Sequence, residues 1–413
     1  MRSNFEQGIL MRAVFASLLF ALLFIASTSC RSITGEKQSV RARSLRDVPA
    51  QRLSYRFEAD TGAPPNIQES EQTKAAPVQK DFETRRKDDA LVRTVASPDG
   101  QRVLALYDTG DDPQGIFRID LYSSEGTFLR NLSPPALSCA FPETVAWSPD
   151  GTLIVFIASK NASAQPTPTP LVNVPEDIPA APSPNATPAP LFAPVAAFET
   201  EQIYICNRDG YDLKPLTTRE GLIYFYLSWS PDSHALVALA CKEDEWNARQ
   251  AALAKEKEAM VPQGRPRLIG LDGRERLLDD ALTEVRPVWS PDSSKIAAGF
   301  DTDVGIYDAA TDTPTAARIP LREPLLNASR AYDEAKLKSK SANPVSFNPV
   351  VRLEWPEDKT LFLQTAYVRN FIGDPVNNFQ RWHTLHLSPQ AAMLSANYLS
   401  CGTLACDPAS LPL

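Results

Sequence analysis

"VAWSPDGTLIVFIAS" occupies residues 145–159 and decides the fold. Pro149 sets φ for the second position of a tight turn, Asp150 suits the third and Gly151 the fourth. The run from Thr152 to Ile157 is β-branched, aliphatic and aromatic, which is strand composition. One strand therefore ends at Trp147, the next begins at Thr152, and the unit is an antiparallel hairpin.

The unit recurs. "VASPDGQRVLALYD" begins at Val95, "LSWSPDSHALVALA" at Leu227 and "PVWSPDSSKIAAGF" at Pro287, with a weaker copy, "RLEWPEDKTLFLQTA", at Arg352. The turn aspartates are Asp99, Asp150, Asp232, Asp292 and, by loose alignment, Asp358, so the intervals are 51, 82, 60 and 66 residues. The uneven spacing implies insertions. A second signature follows the first. "EQIYICNRDGYDLKPLTT" (201–218) and "RPRLIGLDGRERLLDD" (265–280) read as strand, Asp-Gly turn, strand, with looser versions at 115–133 and 303–321. Each repeat is thus two hairpins, or four strands. Such a sheet buries both faces only by stacking radially on its neighbours, which is the logic of a propeller.

The WSPDG turn, then a strand, then "IYICNRDG" and a short strand ending in "LTT", resembles the WD40-like (PD40) repeat of the TolB propeller family, also found in the propellers of the prolyl-oligopeptidase and dipeptidyl-peptidase IV group. The resemblance covers roughly residues 91–390. It implies an all-β fold, a single β-propeller of five or six four-stranded blades, and is poorly specific for function. Five turns count five blades. A sixth would come from the stretch after Ala391, closed by an N-terminal strand such as 52–59. Trp147, Trp229, Trp289 and Trp355 share one repeat position and are expected to pack blade against blade. With Asp150, Asp232 and Asp292 they form the structural signature of the turn. Ala96 replaces the tryptophan in the first copy. Ser233 and Ser293 replace the turn glycine in two others, a change that a type I turn tolerates. The polar stretch ahead of the first repeat stands where TolB carries an α/β domain, so the resemblance is to the repeat and not to TolB itself.

Residues 11–30, "MRAVFASLLFALLFIASTSC", show a basic residue, an apolar run, small residues and a cysteine, the order of a secretory leader. Met11 is a candidate start. The ending resembles a bacterial lipobox, with Ser27 where leucine is usual. It implies lipid attachment at Cys30 and a membrane-anchored lipoprotein facing the periplasm or cell exterior. Ordinary cleavage and a retained anchor are the other readings, and all three export the chain. The domain reading is leader and lipobox over 1–30, a mostly disordered tether over 31–90, and propeller over 91–413. A Pro/Ala-rich insert is read at 161–198 and a helical one at 243–261, where Ala251, Leu253 and Ala254 would join Trp246 and Met260 in a thin apolar stripe. A second helix is expected over 327–341.

No catalytic constellation is found. There is no GxSxG elbow, so the chain is read as a non-enzyme without cofactor or metal. His383 and His386 lie three apart on an expected strand and so point to opposite faces; His234 stands apart from both. Asp108, Asp111 and Asp112 cluster in a loop without the EF-hand spacing, and a solvated turn is the preferred reading. Cys401 and Cys406 flank four residues and are a candidate disulfide in an oxidising compartment. Cys139, Cys206 and Cys241 read as buried small hydrophobes. The formal net charge of −8 lacks the basic excess of a nucleic-acid binder. The expected function is a cell-envelope platform for a protein partner. The alternative is a carbohydrate- or peptide-binding, or hydrolytic, extracytoplasmic propeller.

Overall fold

The computed structural model describes residues 44–65, 74–109, 117–161, 195–256, 259–309, 313–336, 345–370 and 377–389. These belong to one compact unit, and their strands form five antiparallel sheets. Sheet I holds Ala90–Ala96, Arg102–Asp108, Phe117–Ser123 and Phe128–Asn131. Sheet II holds Leu137–Ser138 and Ala146–Trp147, both paired with Leu153–Lys160, then Gln202–Asn207 and Lys214–Pro215. Sheet III holds Leu222–Trp229, Ala235–Lys242, Arg265–Gly270 and Glu275–Leu277. Sheet IV holds Val288–Trp289, Lys295–Phe300, Asp303–Asp308 and Ala316–Pro320. Sheet V holds Val345–Phe347, Val350–Glu357, Thr360–Asn370 and Asn377–Pro389, and its outer edge is completed by Leu53–Thr61.

The sheets pack face to face in chain order. Leu104, Leu106 and Ile119 of sheet I meet Val145, Ile154 and Phe156 of sheet II. Val155 and Ile203 of sheet II meet Tyr224, Leu227 and Leu236 of sheet III. Val237 of sheet III meets Trp289 and Ile296 of sheet IV. Val304 and Ile306 of sheet IV meet Leu353, Leu361, Leu363 and Leu385 of sheet V. Each fully buried aliphatic or aromatic side chain here contributes roughly 1.5–3 kcal/mol. Four-strand meanders stacked in series, with sheets II, III and IV packed on a neighbour at each face, make this a β-propeller.

The repeated turn explains the register. In sheets I to IV the serine hydroxyl donates to the aspartate, Ser97 to Asp99 at 2.6 Å, Ser148 to Asp150 at 2.5 Å, Ser230 to Asp232 at 2.6 Å and Ser290 to Asp292 at 2.7 Å. The same hydroxyl accepts the N–H that opens the next strand, from Arg102, Leu153, Ala235 and Lys295. The residue after the aspartate is left-handed in each case, with φ of 68° at Gly100, 71° at Gly151, 64° at Ser233 and 60° at Ser293. The two serines therefore occupy the strained position that follows a type I turn, not a tolerant one within it. Both hydroxyls are used. Ser233 Oγ accepts the N–H of Asp150 at 3.0 Å, and Ser293 Oγ accepts that of Asp232 at 3.0 Å, so each ties its sheet to the preceding one.

The stretch 31–90 is not a tether throughout. Leu53–Thr61 pairs with Asn377–Pro389 from Leu53↔Pro389 to Thr61↔Trp382. This is the N-terminal closing strand expected around 52–59, but its partner lies before Ala391, and residues 390–413 fall outside the described residues. Ahead of it, Leu45 and Ala50 enter the core between sheets IV and V. The Ala50 N–H donates to Asp308, which also pairs with the buried ammonium of Lys295 at 3.0 Å. Helix α1, Ala76–Arg85, covers the outer face of sheet I by setting Val78 and Phe82 on Val103, Ala105, Tyr107 and Tyr122. Among the described residues no buried apolar cluster joins sheet V to sheet I, and α1 occupies the face that an adjoining blade would use.

Helix α2 runs Glu243–Glu256. The expected apolar stripe is not packed, because Ala251 and Ala254 are exposed. Trp246 anchors the helix instead, against Phe141 and Phe225, and Glu245 grips Arg265 through both carboxylate oxygens at 2.7 and 3.0 Å. Helix α3 runs Arg322–Lys336, starting five residues earlier than expected because Pro324 is accommodated in its first turn. It inserts Leu325 into the core between sheets IV and V. Residues 162–194 of the Pro/Ala-rich insert lie outside the described residues. Its end is packed: Val195, Ala197 and Phe198 meet the core between sheets I and II, and Tyr204 donates to the Ala196 carbonyl at 2.9 Å.

Candidate functional site

A cavity of about 1,010 Å³ opens where the first strands of sheets III, IV and V converge, at the upper end of the usual size of ligand pockets. Tyr226, Ser228 and Trp229 line it from sheet III, Arg286, Val288 and Trp289 from sheet IV, and Arg352, Glu354 and Trp355 from sheet V. Gln364 and Gln380 add amides, and Pro64 and Pro65 close one side.

The lining follows from the repeat. Three residues before the tryptophan position stand Arg93, Tyr226, Arg286 and Arg352 in sheets I, III, IV and V. In sheets I, III and V the strand bulges just before that residue, at Val92, Phe225 and Val351. A bulge re-aims the side chains that follow it. Sheet II departs, since a 3₁₀ turn, Pro142–Thr144, breaks its first strand. The first strands of sheets III, IV and V pair on one side only. Their other edges carry backbone donors and acceptors that lack strand partners.

The electrostatics are uneven. Arg352 is held by Glu354, its Nε donating to Oε1 at 2.8 Å, and its guanidinium stands 6.0 Å from the Trp382 ring. The Arg286 guanidinium lies 5.3 Å from the Tyr226 ring, and no carboxylate lies within ion-pair reach of it among the described residues. Glu284, also on the cavity wall, is exposed and likewise without an ion-pair partner there. Burial raises the Tyr226 phenol pKa against the opposing pull of Arg286, so the ring stays neutral. Arg93 is pushed down by burial, with Glu143 acting in the opposite sense.

The tryptophans at the repeat position bridge sheets. Trp147 donates its indole N–H to the Val95 carbonyl at 3.1 Å, and Trp289 donates to Ser228 at 3.2 Å, each reaching the preceding sheet. Trp355 turns back to Asp358 at 3.3 Å. The indole N–H of Trp229 is buried without an acceptor among the described residues. Asp99 is held down at about 2 by the Ser97 hydroxyl, the Gln101 N–H and Arg208. At Asp150, Asp232 and Asp292 burial pulls upward, but the serine hydroxyl and the following N–H outweigh it and the net shift is downward. These carboxylates belong to turns and not to a catalytic pair.

The other candidates are dispersed. His383 is buried, accepts the Asp60 N–H on Nδ1 at 3.1 Å and therefore donates from Nε2 to Thr365 at 2.9 Å. Burial above all, then Arg381, lowers its pKa to about 4, so the ring is neutral. His386 sits 3.0 Å from Glu58, and His234 is exposed beside Asp232. No group of three His, Cys, Asp or Glu suited to a metal occurs among the described residues. Cys139 and Cys206 are buried between sheets I and II and Cys241 in sheet III, with burial pushing the thiols up to about 12, 12 and 11. Cys30, Cys401, Cys406, Asp111 and Asp112 lie outside the described residues, and no helix among the described residues is long and apolar enough to cross a membrane. The cavity arginines and Glu284 were missed in the sequence. The signal for the arginines was their place three residues before a repeat tryptophan; Glu284 carried none.

No protein-family model matches the sequence, and no curated protein does. Among solved structures, prolyl oligopeptidase B from Galerina marginata is similar at 10% identity and a TM-score of 0.40 over 80% of this chain. The match takes in 41% of that enzyme, so the chain spans about two fifths of its length. A putative TolB from Agrobacterium tumefaciens is similar at 13% identity and a TM-score of 0.29, covering 73% of this chain and 89% of that one. A chain of a nidogen/laminin complex is similar at 11% identity and a TM-score of 0.31, covering 81% and 99%. The propeller assignment stands on the five sheets and their packing.

Proposed function

We propose that this chain is an extracytoplasmic, lipid-anchored propeller that serves as a protein-interaction platform, and that the cavity between sheets III, IV and V is where a partner's peptide segment is held. The observation that carries this reading is the convergence of three one-sided strand edges on a single cavity with unpaired charges on its wall. Strand edges recognise an extended peptide through main-chain hydrogen bonds. The leader over 11–30 supports export, and Cys30 supports an anchor that confines the propeller to a membrane surface and raises its effective concentration for a partner.

Cross-linked affinity capture from detergent-solubilised membranes, run beside Cys30→Ala, tests both halves. The expected result is one abundant envelope protein recovered with the intact chain only, and the variant found in the soluble extracytoplasmic fraction. A Cys30→Ala chain that remains on the membrane removes the lipid anchor from the account. Recovery of nothing above background removes the platform and leaves glycan binding as the reading to pursue.

A further inference from the structure

The cavity's selectivity follows from the two charges it leaves unpaired, an inference that rests on the cavity being the peptide contact. Arg352 is satisfied by Glu354 at 2.8 Å. Arg286 has the Tyr226 ring at 5.3 Å and no carboxylate within ion-pair reach among the described residues. Any ligand that fills the cavity strips water from that guanidinium, and a stripped, unpaired charge is costly. A ligand carboxylate removes the penalty, because the guanidinium fork takes a carboxylate through two parallel hydrogen bonds. The aromatic ring beside it restricts the fork before the ligand arrives.

We infer that the cavity takes an extended peptide segment that pairs with a free strand edge and carries one acidic side chain, seated on Arg286. The Val350–Glu357 edge offers N–H and C=O groups at the spacing of another strand, a match that a sugar chain does not supply. On Leu222–Trp229, by contrast, the Leu222 and Ser228 carbonyls and the Tyr224 N–H are already taken by Gln202, Trp289 and Glu201. The Gln364 and Gln380 amides each present both a donor and an acceptor, as a peptide group requires. Glu284 lies on the same wall, two residues from Arg286, and without a cation of its own. It repels a second carboxylate, so the segment is singly acidic at this point and not an acidic run.

The test uses the full chain against a display library of eight-residue peptides with alternate positions randomised. Peptides that bind are expected to be enriched in Asp or Glu at one position. For a selected peptide, replacing that residue by its amide is expected to weaken binding about tenfold, the scale of one charge-assisted hydrogen bond. In Arg286→Gln, an exposed position whose thermal melt controls for folding, that difference is expected to vanish. A uronate oligosaccharide is expected not to displace the peptide. Ser228→Trp, which fills the cavity wall, is expected to abolish binding of every peptide. Binders without an acidic preference, or with one that survives Arg286→Gln, overturn the inference and leave the platform standing. A library with no binder sensitive to Ser228→Trp, or displacement by the uronate, overturns the inference and also the cavity's place in the proposed function.

Discussion

Ser233 shows how one side chain serves both its own turn and the next sheet. Its φ of 64° costs roughly 1–2 kcal/mol for a residue with a Cβ. Its hydroxyl recovers about 1 kcal/mol by accepting the Asp150 N–H. Ser233→Ala keeps the strain and loses the bond, so a loss of about 1–2 kcal/mol in urea unfolding is expected. Ser233→Gly loses both and is expected within about 0.5 kcal/mol of the parent; equal losses in the two variants would contradict this account. The Ser-Pro-Asp core of the turn was legible in the sequence, since Pro149 and Asp150 act locally. The left-handed serine was not, because its compensation comes from a residue 83 positions away. His383 carries a second prediction. Its folded pKa of about 4 lies below the ordinary 6.5, so the unfolded chain binds the extra proton between those values. Its contribution is complete above pH 6.5 and is lost as pH falls towards 4, by up to about 3 kcal/mol. His383→Asn is expected to flatten that part of the stability profile, measured by thermal melting across the window. A variant that declines as steeply as its parent would contradict the assignment.

At the scale of elements, α1 is the piece that composition concealed. "APVQKDFETR" has only Val78 and Phe82 to bury, a stripe too thin to stand out from polar surroundings. What holds it is a receptive sheet. Phe82 meets the rings of Tyr107 at 5.3 Å and Tyr122 at 6.3 Å. Arg86, just past its end, stacks 4.0 Å over Tyr107 and pairs with the buried Asp120. Phe82→Ala is expected to cost about 3–5 kcal/mol and to speed amide exchange in Arg102–Asp108. A loss under about 1 kcal/mol would mean that α1 merely rests on the sheet. The helix at 243–256 was legible from its Ala, Glu and Lys content. Its anchor was not, because Trp246 depends on rings at Phe141 and Phe225 that meet only in the folded chain. The bulges at Val92, Phe225 and Val351 left no mark on the sequence, since a bulge is a property of pairing.

For the whole molecule, repetition made the propeller readable: a turn and a strand four times clearly and once weakly, and a second hairpin twice clearly and twice loosely. The order of sheets follows from chain order, and the closing strand at Leu53–Thr61 was visible as a short β-rich run. The site was less legible because it belongs to no single repeat. Arg286, Arg352 and Tyr226 are ordinary residues until three sheets bring them to one wall. The central claim is that this wall is where the protein meets a partner. The measurement that tests it most directly is photo-cross-linking in intact cells from a reactive residue placed at position 226, with the exposed outer-edge position 129 as control. The account predicts one discrete protein adduct from position 226, mapped to a single short segment of the partner, and none of that species from position 129. Adducts from position 129 alone, or the same diffuse set from both, would place the interaction elsewhere and contradict the cavity's role.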